Sequence, residues 1–226
     1  METNAARAKI FARIRAAQGR APELFAQERE SALGEITRGT QGPRPRPSED
    51  LLAAFLAQAC KMASTVETIA RAEEIPAAAS RYLDSQDLTA AQVTAWPEFA
   101  AMEWGDRNIV FGAPQRNAKL DSVPSVGLTG SFCGIAETGS VVLLSDTKSL
   151  PSAALLPETH IAVVYADQIV DGMEDMFAMV RRASGAVPRS INIISGPSRT
   201  ADIEQTVVMG AHGPYRMRIL VVENRP

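Results

Sequence analysis

Apolar residues fall at helical spacing in the first half of the chain and in short continuous runs in the second. Over residues 4–18, Ala6, Ile10, Ile14 and Ala17 recur on one face, with Phe11 alongside and arginines opposite. This predicts an amphipathic helix that stops at Gly19. Residues 37–47 hold Gly39, Gly42, Pro43, Pro45 and Pro47, the composition of a linker or an extended arm. Ser48 is placed as an N-cap, with Glu49 and Asp50 in the first turn. Leu51, Leu52, Phe55, Leu56 and Ala59 give that helix its apolar face. Ser64–Ile69 reads as a short strand and Ala72–Leu83 as a helix, with Pro76 tolerated near its start. Thr89–Trp104 reads as a helical stretch broken by Pro97.

The runs of the second half are Ile109–Phe111, Val126–Leu128, Val141–Leu144, Ile161–Tyr165, Ile191–Ile194, Thr206–Met209 and Ile219–Val222. They are rich in β-branched residues and do not alternate, which predicts strands buried on both faces. Between two of them, Met173, Met176, Phe177 and Val180 mark a helix. Asp171 and Glu174 have capping-box spacing before it, and Gly185 can end it. Ile161–Ile194 therefore reads as a βαβ unit with a right-handed crossover. Gly210–Arg216 is too short for a crossover helix, which predicts that the last two strands pair antiparallel. The expected fold is α/β, a mixed, largely parallel sheet flanked by helices. A helical N-terminal arm over 1–47 precedes an α/β domain over 48–226.

Composition narrows the function. A net charge of −3 and 5% aromatic residues argue against a dedicated nucleic-acid binder or a base-stacking platform. The two cysteines, Cys60 and Cys133, are far apart and offer no cluster for zinc or iron–sulfur chemistry. They fit free thiols in a reducing compartment. No run of about 18 apolar residues exists to span a membrane, and no secretory signal stands at the N-terminus. The expected location is cytoplasmic.

Polar chemistry collects in two places. In Glu137-Thr138-Gly139-Ser140, just before a buried run, the glycine permits a tight turn and the hydroxyls can donate. Such a turn can cradle a small anion, or its hydroxyls can simply satisfy one another. Glu137 can serve there as nucleophile or base. The second place is Ser195–Pro214. It holds Gly196, Ser198, Arg199, Thr200, Asp202, Glu204 and His212 within one loop and one short strand. Arg199 can grip a carboxylate through two parallel hydrogen bonds. His212 can move protons near neutral pH. The plainer alternative is that Arg199 pairs with Asp202 or Glu204 and closes the loop. His160 reads as a structural residue at a strand entry. With two histidines and no metal-binding spacing, no metal site is expected.

Three segments together resemble a known family. They are Val126-Gly-Leu-Thr-Gly with Ile135-Ala-Glu-Thr-Gly-Ser-Val-Val-Leu, then Leu155-Leu-Pro-Glu-Thr-His-Ile-Ala-Val-Val, then Ser195-Gly-Pro-Ser-Arg-Thr-Ala-Asp-Ile-Glu with Gly210-Ala-His-Gly-Pro. They resemble the lactate-utilization protein C, or LUD-domain, family from about residue 105 onward. The resemblance implies a NagB/RpiA/CoA-transferase-like fold. It also implies a subunit of a complex oxidising L-lactate to pyruvate, with iron–sulfur clusters on partner subunits and no cofactor bound by this chain. Relatives more often carry an arginine within Asp146-Thr147-Lys148-Ser149. Lys148 keeps the charge but not the two-pronged geometry. The implied pocket joins Glu137–Ser140 to Ser195–Asp202, Glu204 and His212. Arg199 and the Thr138–Ser140 amides would anchor a carboxylate, His212 would act as base, and Glu137 and Asp202 complete the catalytic candidates. Two alternatives stand beside this one. The first is a CoA-transferase- or folate-ligase-like enzyme using Glu137. The second is a non-catalytic, anion-sensing scaffold.

Overall fold

The computed structural model describes residues 2–19, 22–38, 42–112, 125–146, 149–184, 188–201, 207–209 and 213–225. Contacts divide the chain into Met1–Arg46 and Pro47–Pro226. The first unit holds α1 (Glu2–Gln18) and α2 (Pro22–Arg38). α1 follows the helical spacing of its apolar residues, but Ile10, Phe11 and Ile14 stay exposed. α2, which the apolar pattern did not reveal, opens on Pro22, a residue suited to a helix start. Its Leu33 and Ile36 are exposed too.

The second unit runs α3 (Leu51–Lys61), β1 (Thr65–Arg71), α4 (Ile75–Ser85), β2 (Gln92–Ala95), β3 (Ile109–Phe111), β4 (Ser125–Thr129) and β5 (Cys133–Ile135). It continues with β6 (Ser140–Leu144), α5 (Ser152–Leu155), β7 (Thr159–Tyr165), β8 (Ile169–Val170), α6 (Met173–Ser184) and β9 (Ile191–Ile194). The last strands are β10 (Arg199–Ala201), β11 (Val207–Met209) and β12 (Arg216–Asn224).

Six strands form one sheet in the order β1-β12-β7-β4-β2-β3, and every neighbouring pair is parallel. Its core is Val126 and Leu128 of β4, Ile161–Val164 of β7 and Ile219–Val222 of β12, all buried. α3 and α4 pack against β1, and α5 against β4 and β7. This is the helix-flanked α/β arrangement that the apolar runs predict. A second sheet, β8-β5-β6-β9, is mixed, and β10 and β11 form a separate antiparallel pair. Met176 and Val180 of α6 pack on Cys133, Ile135 and Val142 of the second sheet.

Several local expectations are corrected. β7 and β9 lie in different sheets, so Ile161–Ile194 is not a βαβ unit. β12 does not pair with β11. It inserts between β1 and β7, parallel to both, because Ile219–Val222 needs cover on both faces. Within Thr89–Trp104 the structure has the strand β2 and one short turn of helix at Pro97–Phe99. Asp50, not Ser48, caps α3: its Oδ1 accepts the Ala53 N–H at 2.9 Å. Asp171 instead accepts the Ser48 N–H at 3.0 Å, and Asp175 reaches back to the Gly172 N–H at the start of α6. Gly185 lies outside the described residues.

Candidate functional site

The hairpin between β5 and β6 carries the first polar group, with Ile135 opposite Ser140. Its turn is held from two sides. Ala136 and Glu137 donate their N–H groups to the carbonyls of Val170 and Asp171, at 2.8 and 2.9 Å. Gly139 has φ +63, and a Cβ there would lie 2.3 Å from the Ala59 nitrogen of α3. Only glycine meets both demands. Glu137 is exposed on the turn, Thr138 is half-buried and Ser140 is buried.

Pairing of Val141 with Ile194 brings the end of β9 beside the start of β6. Ser195 follows directly. The Thr138 and Ser140 hydroxyls are 2.6 Å apart, and those of Ser140 and Ser195 are 2.5 Å apart. Three hydroxyls hold three protons, and the two internal bonds use two of them. One O–H is left to donate outward, and Ser195 is the exposed end of the chain.

Gly196 has φ +82, and a Cβ there would lie 2.0 Å from the Met62 carbonyl oxygen. Both motif glycines therefore rest on the same end of α3, Gln58–Met62. That is the negative pole of the helix. Positive charge for an anion would have to come from Arg199, which is exposed on β10 opposite Met209. Ser198 ties the loop to the entry of β12, its N–H donating to the Pro214 carbonyl at 2.7 Å. The structure thus brings Thr138, Gly139, Ser140, Ser195 and Gly196 together, with Ser198 and Arg199 following in sequence. Thr200 lies in β10, but its side chain is outside the described residues, as are Asp202, Glu204, His212 and Lys148.

His160 is the second residue of β7, at the strand entry where the sequence places it. It is buried, and its Nε2 lies 2.8 Å from the Thr129 hydroxyl. Burial pushes the imidazole down to about 4, so it is neutral at physiological pH. Cys60 and Cys133 are both free thiols. Burial pushes Cys133 up to about 12, so its sulfur stays protonated and is a poor metal ligand. Among the described residues no three His, Cys, Asp or Glu side chains are placed to hold a metal ion, and none offers an iron–sulfur cluster a site.

Sequence reasoning missed the polar residues at the strand ends of the parallel sheet: Glu98 after β2, Ser131 after β4 and Gln168 after β7. The signal was present in Trp96-Pro97-Glu98, but it follows a strand that the pattern hid.

The LUD domain matches residues 107–222, a stretch that includes both hydroxyl-bearing motifs. The chain belongs to the LUD-domain family. Similar proteins include Lactate utilization protein C of Bacillus licheniformis, 38% identical over 139 residues, covering 58% of this chain and 54% of that one. Lactate utilization protein C of Bacillus subtilis is 40% identical over 114 residues, covering 49% of this chain and 48% of that one. The chain spans about half the length of the curated relatives it matches. A crystal structure of a DUF162 family protein from Deinococcus radiodurans aligns with a TM-score of 0.56 at 24% identity. It covers 79% of this chain and 99% of its own, which shows that the LUD-domain chain shares its fold. No described helix of this LUD-domain chain is long and apolar enough to cross a membrane.

Proposed function

We propose that this LUD-domain chain serves lactate utilization, as a cluster-free subunit of a complex that oxidises L-lactate to pyruvate. The observation that carries this reading is the 38–40% identity to Lactate utilization protein C, together with the LUD-domain match over residues 107–222, which hold both motifs. The hydroxyl link from Ser140 to Ser195 supports it, because it makes one site of two distant segments. Arg199 takes the lactate carboxylate, and the outward O–H of the hydroxyl chain donates to the substrate. Oxidation to pyruvate releases two electrons and two protons. Iron–sulfur clusters on partner subunits would accept the electrons, and the Cα proton would leave to solvent. His212 takes the hydroxyl proton, and Asp202 and Glu204 set the charge of the loop.

A second reading is a non-catalytic scaffold. It is favoured by the exposed Ile10, Phe11 and Ile14 on α1, an apolar face suited to docking. The test is lactate-dependent dye reduction by the purified complex, with Arg199→Ala and His212→Ala compared to wild type. Losses of about 10-fold or more with assembly intact are expected. Full activity in both variants would sink the substrate role of this loop. Failure of partners to co-purify after deletion of residues 1–46, with those point variants silent, would favour the scaffold.

A further inference from the structure

The antiparallel pair β6–β9 carries a serine pair at each end. Val141 stands opposite Ile194 and Leu144 opposite Ile191. Ser140 and Ser195 therefore meet at one end, and Ser145 and Ser190 at the other. The five residues of β6, at about 3.4 Å each, put roughly 17 Å between the two pairs. A molecule the size of lactate cannot touch both.

The Ser145–Ser190 end opens into a cavity of about 580 Å³, lined by Ser145, Asp146, Leu150, Arg189 and Ser190. Such a volume suits a small organic molecule. Backbone bonds fix the two serines. Ser145 N–H donates to the Ser190 carbonyl at 3.0 Å, and Ser190 N–H donates to the Ser145 hydroxyl at 2.8 Å. The Ser190 hydroxyl accepts from the Asn192 amide at 3.2 Å. Each hydroxyl is thus used as an acceptor, and its own O–H meets no acceptor among the described residues. Leu150 is half-buried, and its carbonyl accepts the Trp96 indole N–H at 3.1 Å. That bond anchors an apolar wall for the cavity. Arg189 is exposed, and no described residue, Asp146 included, pairs with its guanidinium.

The lining therefore offers a guanidinium fork and two hydroxyls on neighbouring strands. A cation finds only Asp146, which has a partner of its own. A neutral guest leaves the guanidinium unused. An anion uses all three donors. Asp146 does not forbid it, because Asp146 acts through screened charge while the fork acts through direct hydrogen bonds. A carboxylate presents two oxygens in one plane, which the fork alone can take. A phosphoryl group presents three, so the fork holds two and the serine pair the third.

We propose that the cavity at the Ser145–Ser190 end of β6 and β9 binds a small organic phosphate. Arg189 and the two hydroxyls take the phosphoryl oxygens, and Leu150 packs on the organic group. The site is separate from the Ser140–Ser195 hydroxyls and does not rest on the lactate reading.

The test is an NMR titration of the full chain, at fixed ionic strength, with phenyl phosphate, benzoate, inorganic phosphate and L-lactate. Phenyl phosphate is expected to shift the amides of Ser145, Leu150 and Ser190 in a saturable way. Benzoate keeps the ring but lacks the third oxygen, and should bind about 10-fold more weakly. Inorganic phosphate lacks the ring and should also bind more weakly. Arg189→Ala, at an exposed position, should weaken phenyl phosphate about 10-fold with the rest of the spectrum unchanged. Arg189→Lys should recover only part of the loss, since lysine lacks the fork. Arg71→Ala removes the same charge from the exposed edge strand β1 and should leave binding unchanged. Absence of phenyl phosphate shifts at these amides overturns the proposal, as does benzoate or L-lactate binding there as tightly. So do inorganic phosphate matching the ester, or equal losses from Arg189→Ala and Arg71→Ala.

Discussion

Ser140 and Ser195 share a hydroxyl hydrogen bond of 2.5 Å across 55 residues of sequence. Ser140 is buried and also touches the Thr138 hydroxyl, so its loss leaves a half-buried hydroxyl short of a partner. Ser140→Ala is expected to destabilise the fold by about 1–3 kcal/mol. Ser195→Ala should cost less, since Ser195 is exposed and water replaces the bond. Urea denaturation of the two variants checks the order. Equal midpoints would contradict it.

Gly139 and Gly196 combine positive φ with close approach to the α3 backbone, whereas Gly105 has φ +58 and open space around it. Alanine at Gly105 should therefore cost only backbone strain, of order 1–3 kcal/mol. Gly139→Ala and Gly196→Ala must also push α3 away, and should exceed that range or prevent folding. Thermal unfolding of all three separates strain from collision.

His160 gives the fold a pH response. Its imidazole is held down to about 4 by burial, below its ordinary 6.5. In the unfolded chain it takes up a proton near its ordinary value, so between these limits the unfolded state binds more protons. Stability contributed by the neutral ring is full above about 6.5 and is lost as pH falls toward 4. The loss is expected to reach a few kcal/mol, at about 1.4 kcal/mol per pH unit. His160→Asn should flatten the stability profile across that window, measured by denaturation at successive pH values. A slope as steep as wild type would assign the response elsewhere.

Glu67 ties β1 to its neighbours, accepting from Arg81 at 2.6 Å and from Arg218 of β12. Burial would raise its carboxyl, but the Arg81 hydrogen bond and the Arg218 charge prevail and leave it below 4.5. Glu67→Gln strands the largely buried Arg218 charge and should cost about 1–3 kcal/mol at neutral pH. The native carboxylate contributes above its unfolded value and loses that contribution as pH falls through its folded one. The gap between variant and wild type should therefore close in acid, which denaturation at pH 7 and near pH 3 would show.

The parts of the fold legible in the sequence were those decided locally. Continuous runs such as Ile161–Tyr165 and Ile219–Val222 are buried on both faces, and burial of that kind is visible in composition. Pairing partners are not. β12 pairs with β1 and β7 rather than with β11, a choice made by tertiary competition. β2 was hidden because its four residues, Gln92–Ala95, are too few to show a period. At the candidate site, the Thr138–Ser140 and Ser195–Gly196 motifs were legible as polar loops. Their meeting was not, since it depends on β6 pairing with β9 and on two glycines resting on α3. Glu98 was missed along with the strand that presents it.

The place of β12 has a consequence for synthesis. Among the described strands β1 pairs only with β12, and β7 needs β12 on one side. On the ribosome, β1 emerges more than a hundred residues before its neighbour does. Through that interval it is an open strand edge, and the sheet cannot close until β12 has cleared the exit tunnel. Helices α3 and α4, made on either side of β1, give it early cover. They would act on the nascent chain as a built-in guard against premature association.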